Sequence, residues 1–232
     1  MNLILVPTLL ALLSQPTAPF GQRRNFTLPD GGTMLYGISI PEDYDPQKPR
    51  PLVLALHPGG ERKPGDGIGF LRSMALPGLR SLHAIIVAPD CPTRAWVDPI
   101  AERAVMALLQ NILADYAIDR RRILVTGYSL GGRGTWFMSS RHADLFTGAI
   151  VMAGSPGDEP LDRLGTIPTY VIHSRQDQVV PFGPSESTAL ELEKLGRVVK
   201  FVALGGLDHY NMHGFLNPLG RAALWIAEQW EK

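Results

Sequence analysis

The amino-acid sequence predicts an α/β fold, with a mostly parallel central sheet flanked by helices, from three observations. Short apolar runs rich in β-branched residues alternate with longer segments of helical period, as in parallel sheets that helices cover on both faces. Several of these runs end directly in polar turns. The length of 232 residues suits one large domain, because typical domains hold ~100 to 200 residues.

The individual elements follow from these patterns. One helix is predicted from Ala101 to Tyr116, where apolar residues recur at intervals of three and four and form a single stripe. A second helix is predicted from Gly132 to Arg141, and a last one from Leu216 to Trp230. The predicted strands are Met34 to Ile40, Leu52 to Leu56, Ala84 to Ala88, Ile123 to Thr126, Gly148 to Met152, Thr169 to His173 and Val198 to Ala203.

The composition excludes several classes of protein. The 22 Lys and Arg residues balance the 22 Asp and Glu residues, and charged residues make up only 19% of the chain, which argues against a nucleic-acid-binding protein. With 45% hydrophobic residues, the chain is too apolar to be disordered. Cys91 is the single cysteine, so we expect no intramolecular disulfide and no zinc site. The partners are therefore expected to be small and neutral.

The N-terminal segment differs from the rest of the chain. Residues 1–20 carry no charged side chain, and Leu3 to Leu13 is an apolar run broken only by Pro7 and Thr8. This run is too short to cross a bilayer, and it resembles a signal peptide that lacks the positive start. We therefore predict a signal peptide over 1–20 and one domain over 21–232, in a secreted or periplasmic protein without integral membrane association. The alternative is an N-terminal strand or a mistranslated start in a cytoplasmic protein.

The central motif is Gly127-x-Ser129-x-Gly131, which lies between the predicted strand that ends at Thr126 and the helix that begins at Gly132. A serine hydroxyl is a weak nucleophile, so a nucleophilic serine stands exposed on a sharp turn beside a base. Glycine two positions either side permits such a turn, and a helix N-terminus directs its N–H groups at developing negative charge. This context predicts that Ser129 is a nucleophile.

An acid and a histidine should follow a nucleophilic serine in the order Ser, Asp or Glu, His. Asp177 comes just after the predicted strand Thr169 to His173, and His209 comes after the predicted strand Val198 to Ala203. Both lie at carboxyl ends of strands, where open α/β sheets bind their ligands. We therefore predict that His209 takes the proton of Ser129 while Asp177 orients the imidazole.

Other residues compete for these roles. Asp208 fits a turn residue better, because adjacent side chains of an extended segment point in opposite directions. His57 is predicted to hold its own turn by hydrogen bonding. The alternative acids are Asp158, Glu159 and Asp162, the alternative base is His213, and His83, His142 and His173 are interpreted as structural or surface residues.

Two backbone donors are expected to bind the developing oxyanion. The first is the N–H of Leu130, directly after the nucleophile, and the second comes from the turn after the strand Leu52 to Leu56. Pro58 has no N–H, so the second donor is Gly59 or Gly60, and we favour Gly59.

Several stretches carry a family resemblance: Pro51 to Arg62, Ala88 to Pro92 with Trp96 beyond, Thr126 to Trp136, Arg141 to Phe146, and His173 to Pro181. In these the chain resembles the α/β-hydrolases. Within that superfamily it is similar to small secreted esterases and predicted peptidases related to phospholipase/carboxylesterase and polyhydroxybutyrate-depolymerase-type enzymes. The resemblance implies Ser129, Asp177 and His209 as catalytic triad, with Gly59 and Leu130 as oxyanion donors.

The chain departs from these enzymes at two places. Their oxyanion turn usually reads His-Gly, where this chain has His57-Pro58. A tryptophan usually follows their base, where this chain has Tyr210 to His213. Both departures leave the class intact and bear on substrate preference.

The spacing of the strands predicts an α/β-hydrolase fold without a cap domain, because only about fifteen residues, Ala153 to Ile167, separate two of them. An open site favours short acyl esters or the accessible esters of polymers. We expect a carboxylesterase-type serine hydrolase that forms an acyl-enzyme and needs neither a metal nor an organic cofactor. The alternatives are a serine peptidase or amidase, which uses the same triad, and a noncatalytic binding protein.

Aromatic and basic side chains near the motifs are candidates for substrate binding. Tyr128 and Tyr210 neighbour the nucleophile and the base, and they suit either a pocket or packing. Trp96 is a further candidate, although for Trp96 and Trp136 a core position is favoured. Arg62 and Arg175 are candidates for contact with an anionic substrate, although solvated loop arginines are commoner.

Overall fold

The computed structural model describes residues 21–61 and 63–232. The signal peptide predicted over 1–20 and the substrate contact predicted for Arg62 lie outside the described residues. Within the described part of the chain, no helix is both long and apolar enough to cross a membrane.

An eight-stranded sheet forms the centre of the molecule, in the order β1-β2-β4-β3-β5-β6-β7-β8. From β4 through β3 to β8 each neighbouring pair is parallel, whereas β1 pairs antiparallel with β2, and β2 with β4. The carboxyl ends of the parallel strands therefore share one edge, where ligands bind in open α/β sheets. The strands are β1 Gln22–Thr27, β2 Thr33–Ser39, β3 Arg50–Leu56, β4 Ile85–Pro89, β5 Ile118–Tyr128, β6 Gly148–Met152, β7 Thr169–Ser174 and β8 Val199–Leu204.

The mostly parallel sheet predicted from the sequence is confirmed. Each predicted strand is present, and β6 has the predicted ends, although β5 begins earlier than predicted, at Ile118. The sequence does not predict β1, because its side chains alternate between half-buried and exposed and include Arg23 and Arg24. An edge strand of this kind carries a weak apolar signal.

Six α-helices cover the described part of the sheet. Their bounds are α1 Asp66–Phe70, α2 Leu76–Leu79, α3 Pro99–Asp115, α4 Leu130–Arg141, α5 Phe182–Lys194 and α6 Leu216–Trp230, with a π-helical turn, Leu71–Ala75, between α1 and α2.

Strand β3 shows how the sheet separates two cores. Val53 and Ala55 face the core that contains α2 and α6, whereas Leu52, Leu54 and Leu56 face the core that contains α3 and α4. The alternation follows from the two-residue period of a strand. All five side chains are completely buried, so the strand gives a rigid base to the turn that begins at His57.

The predicted helices are present, whereas the three further helices α1, α2 and α5 are not predicted. Helix α3 buries its predicted stripe, and Asp98 caps it by accepting a hydrogen bond from the backbone N–H of Ile100 (2.8 Å), as N-terminal aspartates do. Helix α6 has the predicted bounds. Pro77 and Gly78 interrupt the helical period of the segment 66–82, so sequence periodicity alone does not show α1 and α2.

The segment between β6 and β7 carries no cap domain. All of residues 153–168 are described, and they contain one 3₁₀ turn, Leu161–Arg163. The edge of the sheet above the strand ends is therefore not covered by an insertion at this point.

Candidate active site

Ser129 lies on a strained turn between β5, which ends at Tyr128, and α4, which begins at Leu130. Its backbone has φ 56° and ψ −115°. Residues other than glycine rarely adopt this conformation, and those that do often lie at functional sites. The Ser129 N–H donates to the carbonyl oxygen of Met152 (2.9 Å), and its own carbonyl accepts from Arg133 (2.9 Å). These bonds hold the turn so that the hydroxyl lies at the sheet edge.

The two glycines of the motif are required by close backbone approach. A Cβ at Gly127 would stand 2.3 Å from the carbonyl oxygen of Gly131, and a Cβ at Gly131 would stand 2.0 Å from that of Leu56. Real Cβ atoms do not approach backbone oxygens so closely, because both distances lie far inside van der Waals contact. The glycines therefore allow α4 to start directly against β3 and β5.

Ser129, His209 and Asp177 form a continuous hydrogen-bonded series. His209 Nε2 lies 2.8 Å from Ser129 Oγ, and His209 Nδ1 lies 2.7 Å from Asp177 Oδ2. A carboxylate only accepts hydrogen bonds, so Nδ1 carries the proton and Nε2 accepts from the serine hydroxyl. The structure thus brings together the three residues that the sequence predicted, in the arrangement of a nucleophile, a base and an orienting acid.

Asp177 is held in its ionised form. Its side chain is 1% exposed, and its second oxygen, Oδ1, accepts from the backbone N–H groups of Val179 (2.9 Å) and Val180 (2.8 Å). Burial disfavours the charged carboxylate, but the hydrogen bonds from His209, Val180 and Val179 outweigh it and lower the pKa of Asp177. The acid therefore remains charged at neutral pH.

Two side chains hold the backbone of His209 in place. The hydroxyl of Tyr128 donates to the carbonyl oxygen of His209 (2.9 Å), and the side-chain oxygen of Gln178 accepts from the His209 N–H (3.3 Å). Burial, together with the charges of Asp177 and Asp208, raises the pKa of Tyr128 far above its usual value. The phenol therefore stays protonated and remains a hydrogen-bond donor.

The two residues predicted to supply the oxyanion donors, Gly59 and Leu130, are neighbours in the structure. A Cβ built on Gly59 would meet the Leu130 side chain at 3.2 Å, so the turn after β3 borders the N-terminus of α4. His57 secures this turn: its Nε2 accepts from the Cys91 N–H (3.0 Å), and its Nδ1 donates to the Pro58 carbonyl (2.7 Å). The prediction that His57 holds its own turn is in accord with these contacts.

Asp90, for which the sequence predicts no role, anchors the far end of the loop that joins β3 to α1. Its carboxylate accepts from the backbone N–H groups of Gly65 (2.7 Å) and Gly67 (2.8 Å), at the start of α1. The end of β4 therefore binds this loop near both of its ends, through the Cys91 N–H at His57 and through Asp90 at Gly65 and Gly67.

Two clefts flank the turn Pro58 to Gly60. One has a volume of about 490 Å³ and is also lined by Leu130, Thr93 and Arg94. The other has a volume of about 360 Å³ and is lined by residues that include Phe70 and Met212. Both are large enough for a small organic group; Gly59 lines both clefts, whereas Leu130 lines only the first.

Two residues that were candidates for substrate binding, Trp96 and Tyr128, are buried in the interior. Trp96 is 0% exposed and donates its indole N–H to the carbonyl oxygen of His57 (2.9 Å). Tyr128 is 2% exposed and uses its hydroxyl on His209. Because neither side chain reaches solvent, the prediction that they contact substrate is wrong. Trp96 instead supports the turn at His57, and Tyr128 supports His209. Tyr210, in contrast, is 79% exposed, with its ring edge-on to His209.

The competing residues lie elsewhere or have other partners. Asp208 accepts from the backbone N–H groups of Tyr210 and Asn211 (both 2.9 Å), as a turn residue does. Glu159 accepts from Ser140 (3.0 Å). Arg175 lies 3.4 Å from Glu186 and over the ring of Phe182.

One buried side chain beside Asp177 is that of His173, for which the sequence predicts only a structural or surface position. His173, at the end of β7, is 0% exposed and lies 3.3 Å from Asp177 through its Nε2. Its signal in the sequence is a histidine at a strand end four residues before the acid. Within residues 21–61 and 63–232, no group of three His, Cys, Asp or Glu side chains is placed to hold a metal ion.

Several known proteins are similar to this chain in sequence or in fold. A protein of Aspergillus terreus named "Probable feruloyl esterase C" is 25% identical over an alignment 226 residues long, and the match covers 82% of this chain and 82% of the relative. Feruloyl esterase C of Emericella nidulans is 27% identical over an alignment 197 residues long, and the match covers 77% of this chain and 70% of the relative. The crystal structure of a thermostable esterase superposes with a TM-score of 0.70 at 26% identity, and covers 93% of this chain and 61% of that chain.

The family assignment rests on a match to a family model. The dienelactone hydrolase family matches residues 92–230, which include Ser129, Asp177 and His209 and amount to more than half of the chain. The chain therefore belongs to the dienelactone hydrolase family and is a carboxylesterase-type hydrolase with the α/β-hydrolase fold.

Proposed function

We propose that the protein hydrolyses carboxylic esters through a Ser129–His209–Asp177 triad and a covalent acyl-enzyme. The observation that carries the proposal is the unbroken series of hydrogen bonds at 2.8 Å and 2.7 Å from the serine hydroxyl to the buried carboxylate. The strained backbone of Ser129 supports it, since such strain is typical of nucleophile turns in this fold.

The first half-reaction transfers the acyl group to the enzyme. Ser129 Oγ attacks the ester carbonyl carbon while its proton passes to His209 Nε2, and Asp177 stabilises the resulting imidazolium. The carbonyl oxygen becomes an oxyanion that the N–H groups of Gly59 and Leu130 bind. The C–O bond then breaks, and the alcohol leaves with the proton from His209.

The second half-reaction restores the enzyme. Water gives a proton to His209 Nε2 and attacks the acyl carbon, and the serine takes that proton back as the acid departs. Protein groups present at the site perform every proton transfer.

We further propose that the substrates are esters with a short or aromatic acyl group, exposed on a small molecule or on a larger carrier. The clefts of about 490 and 360 Å³ beside the turn hold groups of that size. The exposed ring of Tyr210 next to the base offers a surface for an aromatic or sugar ring. The names of the fungal relatives, feruloyl esterases, favour hydroxycinnamoyl esters within this class.

A panel of p-nitrophenyl esters of increasing acyl length, run beside feruloylated and acetylated sugars, tests this proposal. We expect hydrolysis of short and aromatic acyl esters and a sharp fall beyond short alkyl chains. Ser129→Ala should lower kcat at least about 10³-fold, with the thermal unfolding temperature of the wild type. Wild-type activity in Ser129→Ala would refute the mechanism, and activity confined to amide substrates would refute the ester class.

We also propose that the segment 1–20 exports the protein. The support is its uncharged apolar run, which is too short to span a bilayer. Expression of the full chain in its native cells should give an extracellular or periplasmic protein whose intact mass lacks this segment. A cell-associated cytoplasmic product of full mass would contradict the proposal.

A further inference from the structure

His173 is a buried titratable side chain that the mechanism above does not use. It lies at the end of β7 between the acid and α5, and it is 0% exposed. Its Nε2 lies 3.0 Å from the Val180 carbonyl oxygen and 3.3 Å from Asp177 Oδ2. Its Nδ1 lies 2.8 Å from Ser185 Oγ in α5. Every polar atom of the ring therefore has a partner.

These partners assign the proton on the ring. Both neighbours of Nε2 are acceptors, so Nε2 carries the hydrogen and shares it between Val180 and Asp177, with the Val180 contact the shorter. Nδ1 then accepts from the Ser185 hydroxyl, whose 2.8 Å contact with Nδ1 is shorter than its 3.3 Å contact with the Gly154 carbonyl oxygen. Burial lowers the pKa of His173, although Asp177 and the Val180 carbonyl oppose that effect. The side chain is therefore a neutral imidazole that donates toward the acid.

We propose that His173 is a positioning residue that fixes the carboxylate of Asp177 for catalysis, an inference that rests on the proposed function. It acts on both oxygens of the acid. Its Nε2–H faces Oδ2 directly, beside the hydrogen bond from His209, and it holds the carbonyl of Val180, whose own N–H donates to Oδ1 at 2.8 Å. Oδ2 of Asp177 thus faces two histidines, of which only His209 contacts Ser129.

The shared oxygen predicts an effect on catalysis beyond packing. A carboxylate oxygen that accepts from two N–H groups divides its charge between them, so loss of one donor strengthens the pull on the other. Without the His173 donor, Asp177 would hold the proton of His209 more tightly. The acid limb of the activity profile would then move to higher pH.

The other titratable and charged groups around this cluster do not replace His173. Tyr128, from β5, faces His209 and keeps its proton. Asp208 carries a charge in the same loop as the base and caps a turn. Arg175 and Glu186 pair with each other at the surface, 3.4 Å apart, and Arg175 stacks on Phe182, whose ring is 5.8 Å from that of His173.

The test compares His173→Gln with His173→Leu. Glutamine can place an amide N–H where His173 Nε2–H lies, whereas leucine fills similar space without a donor. We measure kcat/KM from pH 4.5 to 9 with a short p-nitrophenyl ester. His173→Leu should lose about tenfold in kcat, and its acid limb should rise by about 0.5 pH unit or more. His173→Gln should keep the wild-type limb and most of the activity.

Ser185→Ala gives a milder variant in case His173→Leu does not fold. It keeps the imidazole but removes the hydroxyl that donates to Nδ1, which loosens the tautomer, so the acid limb should rise by a smaller amount. A purely structural role predicts that activity follows the folded fraction with an unmoved limb in both variants. An unmoved limb in His173→Leu, or in Ser185→Ala if the former is unfolded, would overturn the proposal, as would equal impairment of His173→Gln and His173→Leu.

The same experiment separates this inference from the proposed function. Absence of ester hydrolysis by the wild-type protein refutes the proposed function itself. An active wild-type protein with a limb that His173 does not affect leaves the triad in place and refutes only the positioning role.

Discussion

The hydroxyl of Tyr128 donates a hydrogen bond to the carbonyl oxygen of His209 across 2.9 Å. This contact joins the residue just before the nucleophile to the backbone of the base, although 81 positions separate them in the chain. The ring of Tyr128 also packs edge-on against Phe215, 5.0 Å away. The end of strand β5 thus positions both Ser129 and the loop that carries His209.

Tyr128→Phe should weaken catalysis through this contact. The substitution leaves the His209 carbonyl without its donor, which should cost ~1 to 3 kcal/mol in the free energy of unfolding and lower kcat severalfold with little change in KM. Tyr44→Phe is the matched control, because the Tyr44 hydroxyl binds the Ala117 N–H at 2.8 Å away from the site. It should lose comparable stability at full kcat. Equal kcat in the two variants would count against the role given to Tyr128.

Asp177→Asn should disable the base while preserving its surroundings. An amide in place of the carboxylate no longer fixes the Nδ1–H tautomer of His209, so we expect a fall in kcat of about 10³- to 10⁴-fold. Asp208→Asn is the control, because that neighbouring carboxylate only caps a turn. It should retain activity within about threefold. Steady-state kinetics would measure kcat for both variants. A larger loss of kcat in Asp208→Asn than in Asp177→Asn would show that Asp177 is not the acid.

Asp90→Ala should loosen the turn that carries Gly59. The N–H groups of Gly65 and Gly67 would lose their shared acceptor, and we expect kcat to fall about tenfold because an oxyanion donor is displaced. The control is Asp98→Ala, which removes a comparable acceptor at the start of α3. It should cost ~1 kcal/mol of stability without a change in kcat. A kcat that is unaffected in Asp90→Ala would dissociate the turn from catalysis.

The pH dependence of stability should carry the signature of His173. Its folded-state pKa is lowered by burial, so below the unfolded value of about 6.5 the unfolded chain binds a proton that the folded protein does not. The free energy of unfolding should therefore fall as pH drops below about 6.5, by at most ~1.4 kcal/mol per pH unit from this group. Urea denaturation at pH 7.5 and 5.5 should show a smaller drop in His173→Gln. An identical drop would mean that His173 is charged in the folded protein.

Asp177 acts on stability in a different range of pH. Its folded-state pKa is lowered, so it contributes stability above its unfolded value of about 3.9, and that contribution is lost as pH falls through the folded value. The two groups therefore weaken the fold in succession, His173 first and Asp177 in stronger acid.

Much of the sheet and the three central site residues are predictable from sequence because they depend on local patterns. Buried strands appear as apolar runs, and Ser129, Asp177 and His209 are polar residues placed at the ends of such runs. Parallel strands carry those ends to one edge, so the chain order of the three residues is enough to expect that they meet.

What the sequence does not predict depends on the direction of side chains and on packing between distant segments. Tyr128 and Trp96 stand next to site motifs, yet both point into the interior, where their polar atoms bind backbone carbonyls. The role of His173 depends on α5, which brings Ser185 to its Nδ1. Strand β1 pairs with β2 along its whole length and packs a single apolar side chain, Phe26, against the core.

The central claim is that Ser129 is the nucleophile and that His209 activates it. Reaction of the purified protein with a fluorophosphonate, followed by intact-mass measurement and peptide mapping, tests it most directly. We predict a single adduct on the peptide that contains Ser129, absent from Ser129→Ala and formed far more slowly by His209→Ala. No mass shift in the wild-type protein, or an adduct that persists in Ser129→Ala, would contradict the claim.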